Sequence, residues 1–450
     1  MDIASLLRGI LGIIILLGIS FLLSNNKKYI NWRLVFSGLC LQVIFAILIL
    51  KGGELSLIFK PFGWPKDFFY WVSGFFVSIL NFTTEGAKFV FGSLAISPGQ
   101  DGSLGTIFAF QVLPTIIFFA SLTSILYYLG ILQRIVQGMA WIMAKVMGTS
   151  GAESLSCSAN IFVGQTEAPL LIKPFIKNMT NSEILTIMVG GMATIAGGVM
   201  AAYIQILGNS YAQTLNIPLA QAQQMFATQL LGASVMAAPA ALLISKILFP
   251  EVSEPETKGT VKIEIEKNAS NLIEAAAAGA GEGLWLALNV GAMLIAFIAL
   301  IALINYLLNQ LGVFLGWNDY LTKTYGQPLN FQLIIGLVLR YLAFGIGVPW
   351  HDSLNFGSLL GTKVVLNEFV AYLEMGKMIT AKTLVDGKAI IMATYALCGF
   401  ANFSSIAIQI GGMGPLAPNR RSDIAKLGIK AVIGGSLATL MTATLAGILF

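Results

Sequence analysis

The stretches Gly164-Gln165-Thr166-Glu167-Ala168-Pro169 and Asn367-Glu368-Phe369-Val370 each place a carboxylate among residues that are otherwise apolar or small. We name them the first and the second polar clip. A charged side chain at the centre of a bilayer costs at least ~2.5–3.5 kcal/mol, so a glutamate at membrane depth marks a functional site by default. Two glutamates in clips of similar design therefore predict a solute-binding site.

Composition indicates that both clips lie in a membrane protein. Of the 450 residues, 56% are hydrophobic and only 10% are charged, whereas a soluble domain carries about 25% charged residues. We therefore predict an all-α polytopic membrane protein. The net charge of +5 comes from basic residues near the ends of apolar segments, as in cytoplasmic loops. The expected partner is thus the lipid bilayer and not nucleic acid.

Enzymatic chemistry is not expected. The chain has one histidine, His351, and three cysteines in apolar surroundings. These residues offer no disulfide framework, no metal-ligand spacing and no pairing of a nucleophile with a base.

Eight apolar segments are long enough to predict transmembrane helices. They are residues 9–24, 34–50, 107–131, 184–206, 225–249, 284–307, 389–411 and 425–448. Basic residues before the second, fourth and eighth segments predict that these loops face the cytoplasm and that both termini face outward. Lys377, Lys382 and Lys388 fall on the predicted outer side and count against this orientation.

A charged segment divides the chain into two halves of similar organisation. We predict four regions: scaffold helices with an interfacial segment (1–100), a first repeat (101–249), a cytoplasmic linker with an interfacial helix near 268–283 (250–283), and a second repeat (284–450). Each repeat contains a span, a short helix, a hairpin-like stretch with a clip, an interrupted span and a final span. The region 207–224, which contains four glutamines, is predicted to be a long outer loop without an assigned role.

The predicted orientation makes the two repeats inverted relative to each other. Inverted repeats place substrate and ion sites near the bilayer midplane, at broken helices. The stretches 149–177 and 350–375 are too polar in the middle to span, so we predict two re-entrant hairpins of opposite orientation with the clips at their tips. Two closed hairpins suggest alternating access and disfavour a channel.

Each clip is followed by an apolar segment that is interrupted. The first reads GGMATIAGGV (190–199) and the second CGFANFSS (398–405). Glycine weakens a helix by about 1 kcal/mol relative to alanine, so the first segment predicts a break, although close helix packing is the alternative. Asn and Ser in the second predict a break or hydrogen bonds between helices. Freed backbone oxygens at such breaks suit a hard cation; the candidates are Asn160, Val163, Thr194 and Ile195.

These motifs resemble the concentrative nucleoside transporters. The resemblance rests on GQTEAP (164–169), GGMATIAGGV (190–199), NEFVAY (367–372) and CGFANFSSI (398–406), with support from LNVGAMLIAFI (288–298) and LAPNRR (416–421). It covers nearly the whole chain in order. It implies a bacterial homotrimer in the inner membrane that imports nucleosides such as uridine, with sodium as the coupling ion.

The resemblance also implies residue roles. Gln165 and Thr166 would contact the base, and Glu167 would bind it directly or through water. Glu368 and Asn402 would hold the ribose hydroxyls. The remaining implied positions are Ser405 close to the ribose, Val199 and Phe400 shaping the pocket, and Asn160, Val163, Thr194 and Ile195 holding sodium. A proton-coupled nucleoside symporter that uses Glu167 or Glu368 stays open as the alternative, because burial raises the pKa of a carboxyl group.

Overall fold

The computed structural model describes residues 3–57, 59–96, 102–105, 107–259 and 269–450. Within these ranges the chain is helical and contains no β-strand, which confirms the predicted all-α class. We number the helices of eight or more residues from α1 to α17.

The first half of the chain contains nine of these helices. They are α1 (Ile3–Leu22), α2 (Trp32–Leu50), α3 (Trp64–Phe91), α4 (Leu113–Tyr128), α5 (Ile131–Met147), α6 (Gly151–Ala159), α7 (Asn181–Ala193), α8 (Gly197–Leu215) and α9 (Leu219–Leu248).

The second half contains the other eight. They are α10 (Leu272–Phe314), α11 (Asn318–Tyr325), α12 (Phe331–Gly345), α13 (Trp350–Val365), α14 (Glu368–Thr380), α15 (Gly387–Leu397), α16 (Phe403–Met413) and α17 (Arg421–Leu449). From α4 to α9 and from α10 to α17 the order is similar: a long helix, a shorter helix, a hairpin, an interrupted helix and a long final helix.

Seven segments of the described chain are long and apolar enough to cross a membrane, and they coincide with seven of the eight predicted spans. The predicted span 389–411 is instead two helices of 11 residues, α15 and α16, so neither is long enough alone. Eight crossings, the orientation of the chain and the re-entrance of the hairpins therefore stay predictions.

Both predicted breaks are present. Thr194 and Ala196 adopt extended backbone conformations between α7 and α8, and residues 398–402 separate α15 from α16. The glycines before the first break serve close packing as well. A Cβ on Gly190 would lie 2.7 Å from the Cys157 sulfur, and one on Gly191 would lie 2.8 Å from the Cβ of Gln165.

Two predictions about connections are wrong. The region 207–224 is not a long loop, because α8 continues to Leu215 and α9 begins at Leu219. The interfacial helix predicted near 268–283 is not separate from the next span, because α10 is continuous over 43 residues.

At about 1.5 Å per residue α10 is about 65 Å long, roughly twice the ~30 Å hydrocarbon thickness. Two glycines of this helix pack directly against α4: a Cβ on Gly279 would lie 2.6 Å from the Cβ of Ser124, and one on Gly283 would lie 2.8 Å from the Cβ of Ala120. This packing offsets the weak helix propensity of glycine.

The hairpins begin at matched turns. Gly148 and Gly347 have φ values of 73° and 108°, a region that side chains disfavour, and they precede α6 and α13. The first hairpin consists of α6, the first clip and a short 3-10 turn; the second consists of α13 and α14. Ser150 and Thr180 begin α6 and α7 with capping boxes that use Glu153 and Glu183.

Part of the predicted linker packs against the first hairpin. The backbone N–H of Gly151 donates to the Thr257 carbonyl at 2.7 Å, and Asn178 donates to Glu256 at 2.9 Å. Thr257 is buried. Residues 250–259 are therefore part of the folded body, whereas residues 260–268 of the predicted linker lie outside the described residues.

Candidate functional site

The second clip begins a helix. Asn367 caps α14, since its side-chain oxygen accepts from the Val370 N–H at 2.9 Å, and Glu368 is the first residue of that helix. The N-terminus of a helix carries a partial positive charge and stabilises a carboxylate there. The local sequence therefore holds Glu368 at the turn of the hairpin.

Glu368 is held by two other elements. Its Oε1 accepts from the Tyr203 hydroxyl of α8 at 2.9 Å, and its Oε2 accepts from the Asn402 amide at 3.0 Å. Asn402 also caps α16, because its Oδ1 accepts from the Ser405 N–H at 2.9 Å. Only 5% of Glu368 is exposed. One carboxylate thus joins the second hairpin, the second break and a helix of the first repeat.

The first clip reaches the same broken helix. The Gln165 amide donates to the Ser405 hydroxyl at 3.1 Å, and the Gln409 amide donates to the Gln165 oxygen at 3.0 Å. Gln409 also donates to the Met188 carbonyl of α7 at 3.0 Å. Asn402 and Ser405 are neighbours at the start of α16, so both clips converge on that helix end.

Glu167 is placed differently from Glu368. It is exposed, and it accepts a short hydrogen bond from the backbone of Gly164 in its own clip. Within the described residues, no hydrogen bond joins Glu167 to Glu368 or to the side chains that hold Glu368. Thr166 packs against α16, where a Cβ on Gly412 would lie 2.9 Å from the Thr166 methyl carbon.

The two residues that were expected to shape the pocket lie at the two breaks. Val199 is buried on α8, four residues before Tyr203, so the two share a helix face. Phe400 is half-buried in the second break, and its backbone N–H donates to the Thr194 carbonyl at 3.3 Å. The two breaks are therefore in direct contact.

Of the four sodium candidates, two lie in the first hairpin and two lie at the first break. Asn160 ends α6 and donates from its amide to the Ser156 carbonyl at 3.0 Å, while its buried Oδ1 has no hydrogen-bond partner. Thr194 and Ile195 are buried at the first break. Val163 is half-buried in the loop, and the neighbouring carbonyl of Phe162 accepts from Gly197 at 3.2 Å.

These residues fit a sodium ion. Hard cations are bound by oxygen ligands from side chains and carbonyls. The Asn160 Oδ1 is a buried oxygen without a protein donor, and the first break, which contacts the hairpin loop through the Gly197–Phe162 hydrogen bond, offers backbone oxygens. Asn160 and the carbonyls of Val163, Thr194 and Ile195 would hold the ion, which would bring its positive charge beside the first clip.

Two residues of the site are absent from the sequence-based assignment: Tyr203 and Gln409. Each lies four residues after an assigned position, Tyr203 after Val199 and Gln409 after Ser405. Residues four apart share a helix face, so this spacing could have identified both.

Three family models match the chain. Residues 11–94 match "Na+ dependent nucleoside transporter N-terminus", residues 109–210 match "Nucleoside recognition", and residues 229–447 match "Na+ dependent nucleoside transporter C-terminus". The two clips and the two breaks all lie within these ranges.

Curated relatives match over nearly the whole chain. An uncharacterised transporter of Haemophilus influenzae is 47% identical, over 99% of this chain and 98% of that protein. Sodium/nucleoside cotransporter 1 of Mus musculus is 39% identical over 98% of this chain, which spans 63% of that longer protein.

Solved structures match as well. CNTnw in an inward-facing substrate-bound state is 39% identical, with a TM-score of 0.84 over 99% of this chain and 98% of that one. A CNTnw variant in an outward-facing state is 38% identical, with a TM-score of 0.84 over 99% of this chain and 97% of that one. The chain therefore belongs to the sodium-dependent, concentrative nucleoside transporters, a family of membrane transporters whose coupling ion is sodium.

Proposed function

We propose that this protein is a symporter that uses sodium to import nucleosides such as uridine across the bacterial inner membrane by alternating access. The observation that carries the proposal is the position of Glu368. Its two oxygens face donors from both repeats, Tyr203 and Asn402, at the turn of a hairpin and beside a broken helix. A site that both repeats build is one whose shape changes when they move relative to each other.

Glu368 binds the ribose in this proposal. An ionised carboxylate accepts several hydrogen bonds and donates none, so it suits two adjacent sugar hydroxyls. Asn402 offers both a donor and an acceptor. Tyr203 and Asn402 each donate one hydrogen bond to the carboxylate and fix its orientation. Each oxygen keeps a further lone pair that can accept from a sugar hydroxyl.

The first clip binds the base. Gln165 and Thr166 supply an amide and a hydroxyl, and Glu167 supplies acceptors directly or through water. Gln165 is linked to Ser405 at 3.1 Å, so contact with the base would be transmitted to the helix that also carries Asn402. Val199 and Phe400 bound the pocket with apolar surface.

Sodium provides the driving force. Each charge that moves inward gains about 2.3 kcal/mol per 100 mV, in addition to its concentration gradient. The proposed ligands around Asn160 join the first hairpin to the first break, where Phe162 accepts from Gly197. A bound ion would therefore order the clip that reads the base, which couples the two ligands.

Uptake into proteoliposomes tests this proposal. We expect uptake of radiolabelled uridine to require an inward sodium gradient and to stop when choline replaces sodium. Sodium and pH are varied separately, and each nucleoside is tested as a competitor. Uptake that continues in choline, or that follows a pH gradient without sodium, would contradict sodium coupling. The matches to known proteins give the proton-coupled alternative no support.

The homotrimer is part of the same proposal. Helices α1, α2 and α10 are largely exposed in the single chain. Of the residues in their most apolar 18-residue stretches, 22%, 39% and 22% are buried, against 94% for α9. Apolar faces of this kind face lipid or other copies. Native mass spectrometry is expected to give about three chains per particle; a monomer at all detergent concentrations would contradict the trimer.

A further inference from the structure

Lys363 is a fully buried lysine in α13, two residues before the end of that helix. Only 1% of it is exposed. Its ammonium donates to the Ala396 carbonyl at 2.8 Å and to the Thr439 hydroxyl at 3.1 Å. Ala396 lies in the last turn of α15, next to the second break, so the lysine links the second hairpin to the end of a broken helix.

The surroundings of Lys363 are unlike those of the other buried lysine. Lys246 forms ion pairs with Glu153 at 2.8 Å and with Glu251 at 3.3 Å. Within the described residues, no carboxylate lies within ion-pair distance of Lys363, and its two partners are neutral oxygens. A buried ammonium without a paired anion is costly. The negative end of the α15 dipole offsets part of this cost.

The last-turn carbonyls of α15 accept hydrogen bonds from the second hairpin and from the second break. Lys363 binds that of Ala396, and the hydroxyl of Tyr372 in α14 donates to that of Thr394 at 2.7 Å. The carbonyls of Tyr395 and Leu397 accept from Cys398 and Gly399. The second break therefore has a donor for each of these four oxygens.

The first repeat differs at the matching place. The interrupted helix there is α7, and the hairpin arm is α6. The Gly190 carbonyl accepts from the Thr194 hydroxyl at 2.9 Å, but within the described residues no hydrogen bond from outside the helix reaches the carbonyls of Gly191, Met192 or Ala193. The arm ends in Asn160, whose buried Oδ1 has no donor. The first repeat thus has an oxygen without a donor at the end of its hairpin arm, whereas the second has the Lys363 ammonium bound to a carbonyl oxygen at the end of α15.

We propose that the ammonium of Lys363 is a tethered cation that takes, in the second repeat, the place that sodium takes in the first. The inference rests on the proposed sodium coupling and deepens it. A tethered cation binds the helix end at all times and cannot be transported. The protein would therefore hold one mobile sodium per nucleoside, although two breaks of similar design are present.

The geometry also gives Lys363 a role in positioning. It lies on the hairpin arm five residues before Glu368 and holds the helix that leads to Asn402. Within the described residues it makes no hydrogen bond to the proposed nucleoside contacts or to the proposed sodium ligands. It holds the Ala396 carbonyl at the end of α15, and its charge also acts on the nearby Glu368 carboxylate.

The test compares Lys363→Ala and Lys363→Met in proteoliposomes with the wild-type protein. Alanine leaves room for a free cation, whereas methionine fills the space with an apolar chain. We expect the Hill coefficient for sodium to rise from about one to about two in Lys363→Ala, because a second ion site opens. The charge carried per nucleoside should rise in the same proportion. In Lys363→Met neither value should rise.

Methylammonium gives a second readout in the same vesicles. If Lys363→Ala is folded but slow, added methylammonium should restore uptake by supplying the missing ammonium, and it should not restore Lys363→Met. A folded Lys363→Ala protein with the wild-type Hill coefficient and charge, or an inactive one that methylammonium does not restore, would overturn the inference. The control is Lys258→Ala, which removes a lysine whose pair with Glu254 is about three-quarters exposed, and it should leave the Hill coefficient at its wild-type value.

The wild-type protein keeps the inference testable if both variants fail to fold. Its reversal potential at set sodium and uridine gradients gives the number of charges moved per nucleoside. About one charge supports a single mobile sodium ion, and about two charges would overturn the inference that Lys363 is a tethered cation. Uptake that is independent of sodium would refute the proposed function itself, whereas sodium-dependent uptake with an unchanged Lys363→Ala refutes only this inference.

Discussion

At the residue scale, the site depends on how a few polar side chains are satisfied in apolar surroundings. Glu368 has one hydrogen-bond donor for each oxygen, Tyr203 and Asn402. Gln165 is held between Ser405 and Gln409. Because an unpaired buried polar group costs about 1–3 kcal/mol, changes at these residues should affect function more than changes of equal size elsewhere.

Glu368→Gln should weaken uridine binding strongly. The change removes a charged acceptor while keeping the shape, and hydrogen bonds to charged groups contribute about 1.5–3 kcal/mol, which is about 10- to 150-fold in affinity. Binding is measured by isothermal titration in detergent with sodium present. The control is Glu374→Gln in the same helix. The Glu374 carboxylate accepts a hydrogen bond of 3.2 Å from Gln332 and, within the described chain, has no hydrogen bond to the candidate site residues. Equal affinities for the two variants would remove Glu368 from the ribose contacts.

Tyr203→Phe should raise the apparent KM for uridine about 3- to 10-fold. The hydroxyl contributes one hydrogen bond to Glu368, and a net loss of about 1 kcal/mol is typical. Tyr395→Phe is a matched control, because that buried hydroxyl donates to Gln229 at 2.9 Å and not to the site. Initial uptake rates at varied uridine give both values; a KM that rises equally in both variants would refute a specific role for Tyr203.

At the element scale, the two breaks pack directly against each other through backbone atoms. The carbonyl of Thr194 in the first break accepts from the N–H of Phe400 in the second. Gly399 lies at the same contact. A Cβ added there would be 2.7 Å from the Met192 carbonyl oxygen and 3.0 Å from the Ala193 carbonyl carbon. The third near atom is the methyl carbon of Thr439 at 2.9 Å. The two backbone atoms cannot move aside as a flexible side chain can.

Gly399→Ala should therefore separate the two broken helices and abolish most uptake. Overpacking of this kind costs about 1–3 kcal/mol. Gly411→Ala in α16 is the control, since no atom lies within 4 Å of a Cβ at that position and alanine favours a helix by about 1 kcal/mol. Uptake and thermal unfolding are measured for both proteins. Normal uptake by Gly399→Ala would show that the contact between the breaks is not needed for transport.

At the scale of the whole molecule, a buried charge network joins the first hairpin to the central helices. Lys246 of α9 pairs with Glu153 of α6 and with Glu251, and it donates to Ser182 of α7 at 3.0 Å. The Ser150 hydroxyl donates to Glu183 at 2.6 Å. Side chains far apart in sequence thereby hold the start of α6 and the start of α7 against the end of α9.

Lys246→Met should destabilise the protein by about 3–5 kcal/mol, because it leaves Glu153 buried without its cation. The unfolding temperature in detergent, followed by intrinsic fluorescence, should fall by several degrees. Lys258→Met is the control: its pair with Glu254 has the same 2.7–2.8 Å geometry but is about three-quarters exposed, and exposed pairs contribute about 0–1 kcal/mol. Equal unfolding temperatures would contradict a structural role for the network.

The amino-acid sequence by itself determined the membrane class, the apolar spans and the two interrupted helices, because these follow from local hydrophobicity and from helix propensity. Its motifs also predicted Glu368, Asn402 and Gln165 as candidate site residues. The break within residues 398–405 could be predicted from the local sequence, because Asn402 begins α16 by accepting from the backbone N–H of Ser405, three residues later.

Only the tertiary structure decided which of these residues meet. Tyr203 lies 165 positions from Glu368, and Gln409 lies 244 positions from Gln165, so no local pattern links them. The continuity of α10 and of α8 was also missed, because alanine, glycine and glutamine permit a helix without demanding one. Packing against neighbours made that choice. Packing also left the buried Asn160 Oδ1 at the end of α6 without a hydrogen-bond donor among the described residues and placed the Lys363 ammonium on the Ala396 carbonyl beside the second break.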